Sequence, residues 1–334
     1  MFAVDPTKAA IYAVEGSAGP VGVTVLRAGE MRLPEGTVQD GAVRNQAAFI
    51  RTLQKLRAAR HIRSNDMTLS VGSGAVLSRR LELPAARPRE LGQMVVNEMI
   101  QVVGEASDFV YEYARHDEPG RDKTQPVTVW AYAMPRAMVD TYYSVFRNGH
   151  FKPVALDIHA NCIEKLVTGA AVNGQGWGDQ SVLFIQIENE GLEIHLFSEG
   201  RRVFSRFSPV SAEELLSSLQ QLRGEREPAV PDELDIAAAA SDRNPLLAEI
   251  VHRYVGRLAD EIGKMSQFQL RRNSLNPVGH AYLYGGLAGI SGIGPALAQS
   301  TGIPAETVQA ISGVKMAQAP VAPYLNAIGA LIRL

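Results

Sequence analysis

Residues 181–207, SVLFIQIENEGLEIHLFSEGRRVFSRF, contain three runs rich in β-branched, aromatic and other apolar residues. The runs SVLFIQI, GLEIHLF and RRVFSRF are separated by turn-forming residues at 188–191 and 199–200. Runs of this length between turn signals are typical of an antiparallel meander. A helical pattern follows from Ser211, and the run HAYLYGG at 280–286 then ends in two glycines. The predicted order in this half of the chain is therefore meander, helix and strand.

The N-terminal part of the chain has the same order of elements. Residues 2–33 hold the short runs FAV, AAIYAV and VGVTVLR, again separated by turn signals. An amphipathic helix is predicted near 42–60, and the run MTLSVGSG at 67–74 again ends in glycine. A supersecondary unit that occurs twice predicts an α/β protein of two similar domains with a cleft between them.

The glycine-rich stretch 170–180 is the best candidate for a hinge between the two halves. A strand, a helix and a polar loop after the first unit have no counterpart in the second half, and we interpret them as an inserted subdomain. The predicted boundaries are 1–172 for the first domain, 173–334 for the second, about 78–125 for the inserted subdomain, about 211–279 for a helical insertion in the second domain, and 323–334 for a closing helix.

Composition and charge exclude several classes of protein. The 334 residues contain 33 Lys and Arg and 35 Asp and Glu, so the formal charge is −2, without the basic footprint of a nucleic-acid-binding protein. The single cysteine, Cys162, allows no intrachain disulfide and fits a reducing compartment. Asp5 and Pro6 interrupt the N-terminus before any signal-peptide core, and glycines and prolines interrupt the uncharged stretches near the C-terminus. We therefore expect a cytoplasmic protein that does not itself insert into a membrane.

The chain lacks the common local signatures of catalysis and metal binding. Its seven histidines are scattered without zinc-site spacing, and neither a P-loop nor a nucleophile-elbow pattern occurs. Cys162 lies in an apolar helical context and is interpreted as a small core residue. Asp157 is interpreted as a cap of the following helix. No catalytic residue and no metal site are predicted.

Several stretches, taken in order, resemble the type IV pilus assembly protein PilM family. The first, 48–113, begins AFIRTLQKLRAARHIRSNDMTLSVGSGAVLSRRLELP, and the second, 129–167, is similar to the family's strand, helix and crossing. The third, LYGGLAGISGIGPALAQSTGIPAETV at 283–308, resembles its adenosine motif, and YLNAIGALIRL at 324–334 resembles its closing helix. The resemblance implies an actin-like, ribonuclease H-like duplicated fold of two domains with an inserted subdomain of the 1C type.

The resemblance also implies a nucleotide cleft, in which one hairpin turn of each domain holds phosphate through backbone N–H groups. The first turn is Asp5-Pro6-Thr7-Lys8. Asp5 matches the family's metal-side aspartate, and Thr7 and Lys8 are candidate phosphate ligands. Pro6 stands where a flexible residue is expected and removes one backbone donor.

The second turn departs further from the family. By the family's spacing, Gln186 takes the aspartate position and Glu188 the glycine position, with Glu190 two residues on. A metal ligand is lost, and two anions that lie about 4 Å apart repel by roughly 4 kcal/mol at an effective dielectric constant near 20. We therefore expect no cofactor or only weakly bound ATP. The same residues also fit an ordinary solvated hairpin turn in a fold that has lost its ligand.

The adenosine side is closer to the family pattern. Gly285, Gly286 and Gly289 would leave space for a base against the backbone. By the resemblance, Glu261 and Lys264 on the long helix are candidate polar contacts of the nucleotide. The alternatives are a tight strand-to-helix turn that needs no ligand and an exposed ion pair one helical turn apart.

The resemblance implies a non-enzymatic cytoplasmic scaffold of a type IV pilus or related secretion machine, held at the inner face of the cytoplasmic membrane by its partner. The expected partner is the N-terminal cytoplasmic tail of a PilN-like inner-membrane pilus protein, beside other pilus platform or motor proteins. The tail is expected in a groove between the first domain and the inserted subdomain, where it adds a strand or fills apolar pockets. Candidate groove residues are Arg79, Arg80, Met94 and Met99, with core packing as the alternative for both methionines.

Two other functions stay open at this point. An active ATPase or kinase of the same superfamily would need a metal-holding carboxylate and unobstructed phosphate turns. A cell-division actin homologue would be expected to carry an amphipathic membrane-binding tail, and the apolar closing helix does not match that pattern.

Overall fold

The computed structural model describes most of the chain. Two predicted loops fall largely outside it: the polar loop predicted at 115–126, of which 115, 125 and 126 are described, and the loop predicted at 224–244 within the helical insertion, of which only 234–236 and 239 are described. The described residues are 1–72, 74–104, 106–115, 125–223, 234–236, 239, 245–317 and 319–333.

Strands and helices are numbered here in chain order, within the described residues. The strands are β1 (Phe2–Pro6), β2 (Ala10–Gly19), β3 (Gly22–Arg32), β4 (Val38–Gln39), β5 (Ala42–Val43), β6 (Asp66–Val71), β7 (Leu77–Leu83), β8 (Phe109–Arg115), β9 (Val127–Pro135), β10 (Lys152–Ile158), β11 (Ala171–Val172), β12 (Gln175–Gly176), β13 (Ser181–Glu188), β14 (Gly191–Ser198), β15 (Arg201–Ser208), β16 (Val278–Tyr284), β17 (Ala305–Thr307) and β18 (Val314–Lys315). The α-helices are α1 (Gln46–Ala59), α2 (Pro88–Val103), α3 (Arg136–Asn148), α4 (His159–Val167), α5 (Glu213–Arg223), α6 (Pro245–Arg272), α7 (Ile293–Thr301) and α8 (Leu325–Ala330).

The first sheet has six strands in the order β10-β6-β1-β2-β3-β18. β1 pairs antiparallel with β2 and parallel with β6, so the predicted meander and the strand after the helix belong to one sheet. Side chains alternate along β1, as the two-residue period of a strand requires. Phe2 and Val4 pack with α1 and α3, whereas Ala3 packs with α4 and α8. Cys162 of α4 is fully buried in this second layer, which confirms its interpretation as a core residue.

The second sheet, β15-β14-β13-β16-β17, repeats the arrangement. β13 pairs antiparallel with β14 and parallel with β16, which confirms the repeated meander. Leu183 and Ile185 on one face of β13 pack with α5, α6 and α7. Val182 and Phe184 on the other face share a core with α4 and α8. These two helices therefore lie between the two sheets.

The end of the described chain returns to the first sheet. β18 pairs in parallel with β3, and α8 packs against α4, β1 and β6. Every residue of α8 is buried. The prediction assigned both segments to the second domain, whereas β18 belongs to the first sheet and α8 packs on the first sheet as well as on the core that it shares with the second. None of the helices within the described ranges combines the length and apolar composition that are needed to cross a bilayer.

The inserted subdomain consists of the antiparallel sheet β7-β9-β8 and helix α2. Leu91, Val95 and Met99 of α2 face the sheet and close a small separate core. Met99 is fully buried and Met94 packs against the same core, so both have the packing role. β7 and β8 both pair with β9 and not with each other, so β9 is the central strand of the subdomain. The subdomain therefore extends beyond its predicted boundary at 125.

Candidate functional site

The two predicted phosphate turns meet at the cleft between the domains. The β1–β2 turn closes on itself, since the Thr7 N–H donates to the Ala10 carbonyl at 2.8 Å and the Ala10 N–H donates to Thr7 Oγ1 at 3.1 Å. The Lys8 N–H donates to Glu190 Oε2 of the β13–β14 turn at 2.8 Å. Lys8 Nζ forms an ion pair with Glu213 at the start of α5. The first turn therefore binds carboxyl groups of the second domain.

Glu188, at the end of β13, is buried in the cleft. Its Oε1 accepts a hydrogen bond from the Gly286 N–H at 2.7 Å, and Gln186 Nε2 lies 3.5 Å from the same oxygen. Burial raises the pKa of Glu188 to about 8, although the Gly286 hydrogen bond opposes the change. Burial also raises the pKa of Glu190 to about 7. Near neutral pH the two carboxyl groups therefore carry less than two full negative charges.

A buried ion pair crosses the cleft beside these turns. His159, the first residue of α4, lies between Asp5 of β1 and Glu193 of β14. Its Nε2 lies 2.7 Å from Asp5 Oδ1, and its Nδ1 lies 3.3 Å from Glu193 Oε1. Burial disfavours protonation of His159, but the charges and hydrogen bonds of the two carboxylates outweigh it and raise its pKa well above the ordinary value. The two carboxylates, one from each domain, therefore favour the protonated, imidazolium form of His159.

Two further residues hold this ion pair. Asn326 of α8 donates to Asp5 Oδ2 at 3.1 Å, which satisfies the second oxygen of that carboxylate. Gly72 follows β6 directly, and a Cβ at this position would overlap Glu193 Oε1 and His159 Nδ1. Glycine is therefore required at position 72 by the close approach of the two side chains.

The glycines predicted to receive an adenosine pack against side chains of the protein itself. Gly285 has a φ of +96°, which favours glycine, and a Cβ there would lie 2.8 Å from Glu188 Oε1. A Cβ at Gly286 would overlap Tyr12 Oη. Gly289 is exposed in the following turn. Glu188 and Tyr12 therefore fill the space beside the first two glycines.

Glu261 and Lys264, the predicted nucleotide contacts on α6, lie together with Arg206 of β15. Lys264 Nζ lies 2.5 Å from Glu261 Oε1, and Arg206 Nη2 of β15 lies 3.4 Å from Glu261 Oε2. Burial by itself raises the pKa of Glu261, but the Lys264 hydrogen bond and the Arg206 charge outweigh burial and lower it. The carboxylate thus has two cationic partners, and a nucleotide-binding role for Glu261 and Lys264 stays a prediction.

An open cavity of about 230 Å³ adjoins the His159 ion pair. It lies where β6 and β7 of the first half meet β14 and β15 of the second. His159, Glu193 and Arg206 contribute to its polar lining, and Val71 and Phe207 to its apolar lining. The ion pair therefore borders solvent-accessible space on this side.

No local pattern in the sequence distinguishes His159 or Glu193. Only the position of His159 in the fold indicates a functional role. It starts the helix directly after β10, and ligand sites of α/β folds form at the carboxyl ends of strands. Asp157, predicted to cap α4, instead binds Lys165 Nζ at 2.6 Å, and the N-terminus of α4 has no side-chain cap. The prediction of a helix cap at Asp157 is therefore wrong.

The family model described as type IV pilus assembly protein PilM matches residues 3–329. This chain belongs to the PilM family. The match covers both domains and the inserted subdomain, so it confirms the resemblance that the sequence stretches indicate. None of the curated protein sequences matches the chain.

Solved structures show the fold of this PilM-family chain. The PilM–PilN type IV pilus biogenesis complex is similar at a TM-score of 0.78 with 18% identity, over 99% of this chain and 97% of the other. Ethanolamine utilization protein EutJ from Carboxydothermus hydrogenoformans gives 0.54 with 12% identity, over 99% and 88%. MreB5 of Spiroplasma citri bound to AMPPNP gives 0.53 with 11% identity, over 98% and 93%. The predicted actin-like two-domain fold is thereby confirmed.

Proposed function

We propose that this PilM-family protein is a scaffold of type IV pilus or related secretion machinery, and that carboxyl groups of the protein occupy the nucleotide-binding positions of its cleft. One observation carries the proposal. The backbone N–H groups of Lys8 and Gly286, at the phosphate side and the adenosine side, donate to Glu190 and Glu188. A backbone donor with a carboxyl partner is not available to a phosphate.

The surroundings of Asp5 support the same proposal on the metal side. Magnesium ions bind carboxylate and water oxygens, and Asp5 is the matching carboxylate of the first turn. One of its oxygens faces the imidazolium of His159 and the other accepts from Asn326. A cation of the protein itself therefore balances the charge that a metal ion would otherwise balance.

The residues present do not fit a magnesium nucleotide in the usual pose of the fold. Pro6 offers no N–H group, and Gln186 offers no carboxylate at the predicted metal position. Where Glu188 and Glu190 are ionised, each would repel a phosphate charge about 4 Å away by roughly 4 kcal/mol at an effective dielectric constant near 20. We therefore derive no hydrolytic step for this cleft.

The inserted subdomain is the surface that we propose for the partner. Its sheet has β7 and β8 as its two edges, and Arg79 and Arg80 of β7 are exposed. An extended peptide can add to such an edge through main-chain hydrogen bonds. Family membership and the similarity to a PilM–PilN complex support the tail of a PilN-like inner-membrane protein as the occupant. Through this tail the protein would be held at the inner face of the cytoplasmic membrane, within reach of other pilus platform or motor proteins.

Isothermal titration with tail peptides tests the scaffold function. The full chain is titrated with N-terminal peptides of inner-membrane pilus proteins, and a scrambled peptide serves as the control. We expect saturable binding of one tail, weakened about fivefold or more by Arg79→Glu combined with Arg80→Glu. Arg253→Glu on α6, far from the inserted subdomain in the sequence, is the matched charge change and is expected to leave affinity unchanged. Absence of binding by every pilus tail would contradict the proposal.

An active ATPase or kinase is the alternative function, and the residue types of the first turn, Asp5, Thr7 and Lys8, are the observation in its favour. That function requires a metal-bound nucleotide on both turns. It predicts saturable binding of Mg-ATP in the micromolar range together with phosphate release or transfer, whereas the scaffold function predicts neither.

A further inference from the structure

Arg202 of β15 is the largest fully buried side chain in the described part of the molecule. Its Nε donates to Glu164 Oε2 at 2.9 Å, and its Nη2 donates to Tyr132 Oη at 2.5 Å. Its Nη1 donates to Ser205 Oγ at 3.2 Å, and the guanidinium lies 4.1 Å from the centroid of the Trp130 ring. These contacts compensate the burial of a charge that would be strongly unfavourable without partners.

The partners of Arg202 come from three parts of the fold. Ser205 lies with Arg202 on β15 of the second sheet, and Glu164 lies on α4 between the sheets. Trp130 and Tyr132 lie on β9, the central strand of the inserted subdomain. The guanidinium therefore has all of these partners only when the second sheet, α4 and the inserted subdomain hold this one arrangement.

The junction is continuous with the cleft. Ser205 Oγ lies 2.9 Å from His195 Nδ1, and His195 Nε2 lies 3.8 Å from Glu193 Oε2. Glu193 faces His159, which in turn faces Asp5 of the first phosphate turn. A line of buried and half-buried polar groups thus leads from the first phosphate turn to the inserted subdomain.

We infer that Arg202 is a positioning residue that couples the orientation of the inserted subdomain to closure of the cleft. The inference rests on the proposed function in one respect, since it gives the proposed docking subdomain a link to the cleft. If the second sheet moves away from α4, Arg202 either leaves Tyr132 and Trp130 or moves β9 with it. Loss of partners is disfavoured for a desolvated guanidinium, so the two regions change together. A partner that favours one position of the inserted subdomain then also favours one state of the cleft.

Double electron–electron resonance on the full chain tests the coupling without any ligand. Spin labels replace the exposed residues Asn97 on α2 and Ser274 after α6, and the buried Cys162 is replaced by alanine. The unperturbed chain is expected to give one narrow distribution of distances between the labels. Arg202→Met keeps an unbranched side chain of similar stem length and removes the guanidinium group, and it is expected to broaden the distribution about twofold.

Two other variants provide a milder perturbation of the same contacts and a control. Tyr132→Phe removes one hydroxyl partner and is expected to broaden the label distance in the same direction, by less than Arg202→Met. Arg253→Met, on an exposed part of α6, is the control and is expected to leave the distribution unchanged. If circular dichroism shows that Arg202→Met does not fold, Tyr132→Phe takes its place in the test.

His159→Gln perturbs the same line of groups from its other end. This substitution changes the cleft and leaves every direct partner of Arg202 in place, so coupling predicts that the Asn97–Ser274 distance again broadens. The inference is overturned if Arg202→Met and Tyr132→Phe fold and leave the distribution unchanged, or if they broaden it and His159→Gln does not. Failure of the proposed scaffold function would appear separately, as a lack of tail binding by the unsubstituted chain.

Discussion

The β1–β2 and β13–β14 hairpins have equivalent places in their sheets and opposite chemistry. The first presents the N–H group and the ammonium group of Lys8, whereas the second presents the carboxyl groups of Glu188 and Glu190. In a duplicated fold with two phosphate turns, both turns would direct donors at an anion between them. Here one turn donates and the other accepts, so the two turns bind across the cleft. Carboxyl groups in the second turn alone are sufficient for the two turns to bind each other.

The contacts of His159 likewise join groups of opposite charge across the cleft. A buried cation on α4 lies between one carboxylate of each domain, where the resemblance implies a metal ion beside Asp5. Part of the negative charge of Asp5 and Glu193 is therefore compensated by a group of the protein itself.

Removal of the imidazolium is expected to have the largest effect. His159→Ala leaves the buried Asp5 and the half-buried Glu193 without their shared partner, so the free energy of unfolding is expected to fall by about 3–5 kcal/mol. Urea unfolding followed by circular dichroism at about pH 6 measures the loss. His252→Ala, on the exposed face of α6, is the control and is expected to change stability by no more than about 0.5 kcal/mol. A loss for His159→Ala as small as that of the control would show that no buried charge depends on this residue.

The free energy of unfolding is expected to decrease as the pH rises from about 5 to 8. The direction follows from the difference in bound protons between the folded and the unfolded chain. The pKa values of Glu188 and Glu190 in the folded chain, about 8 and about 7, lie above the ordinary 4.5, and the pKa of His159 lies above 6.5. Burial lowers the pKa of His195, which opposes this effect by one proton at most, so the folded chain still holds more protons than the unfolded chain over this interval. The slope approaches about 1.4 kcal/mol per pH unit for each excess proton.

A series of urea unfolding curves across this pH interval measures the slope. Glu188→Gln removes one of the titrating groups and is expected to flatten it, whereas Glu35→Gln at an exposed position is expected to leave it unchanged. A free energy of unfolding that rises with pH over the whole interval would contradict the assigned protonation of the cleft.

The duplicated meander could be predicted because its signals are local, in alternating apolar runs and the turns between them. The contacts of the cleft could not be predicted in this way. Asp5 and His159 are 154 positions apart, and Lys8 and Glu190 are 182 apart, so no window of sequence contains both partners. Losses from the family pattern, such as glutamate at position 188, were visible in the sequence. That the same glutamate binds the Gly286 N–H required the packing of both domains.

The boundaries of the inserted subdomain could not be predicted from local sequence either. The sequence places the inserted subdomain after the first unit, but its central strand β9 follows a polar loop and was outside the predicted range. The fully buried Arg202 has no sequence signature either, since an arginine in a strand is ordinarily solvent-exposed. Both features depend on long-range pairing, which local periodicity does not encode.

Gly72→Ala is expected to have an intermediate effect on the same ion pair. The added methyl group would overlap Glu193 and His159 and push the two sides of the cleft apart, at a cost of about 1–3 kcal/mol in the free energy of unfolding. Gly176→Ala is the matched control, because a Cβ there meets no atom within 4 Å. Equal stability of the two variants in urea would show that the close approach at position 72 imposes no constraint.

Lys8→Met is expected to have the smallest effect. Its ion pair with Glu213 is exposed on both sides, so the loss is expected to stay within about 0–1 kcal/mol. The backbone N–H of residue 8 keeps its hydrogen bond to Glu190 in this variant. Thermal unfolding of Lys8→Met beside the unsubstituted chain separates the two contributions. A loss comparable to that of His159→Ala would place the main attraction in the ammonium group instead of the backbone.

The most direct test of the cleft is a titration of the chain with Mg-ATP, in which calorimetry measures binding and an assay of released phosphate measures turnover. Because Lys8 and Gly286 already donate to carboxyl groups, we expect no saturation below about 1 mM nucleotide and no turnover. Saturation in the micromolar range accompanied by phosphate release would contradict it.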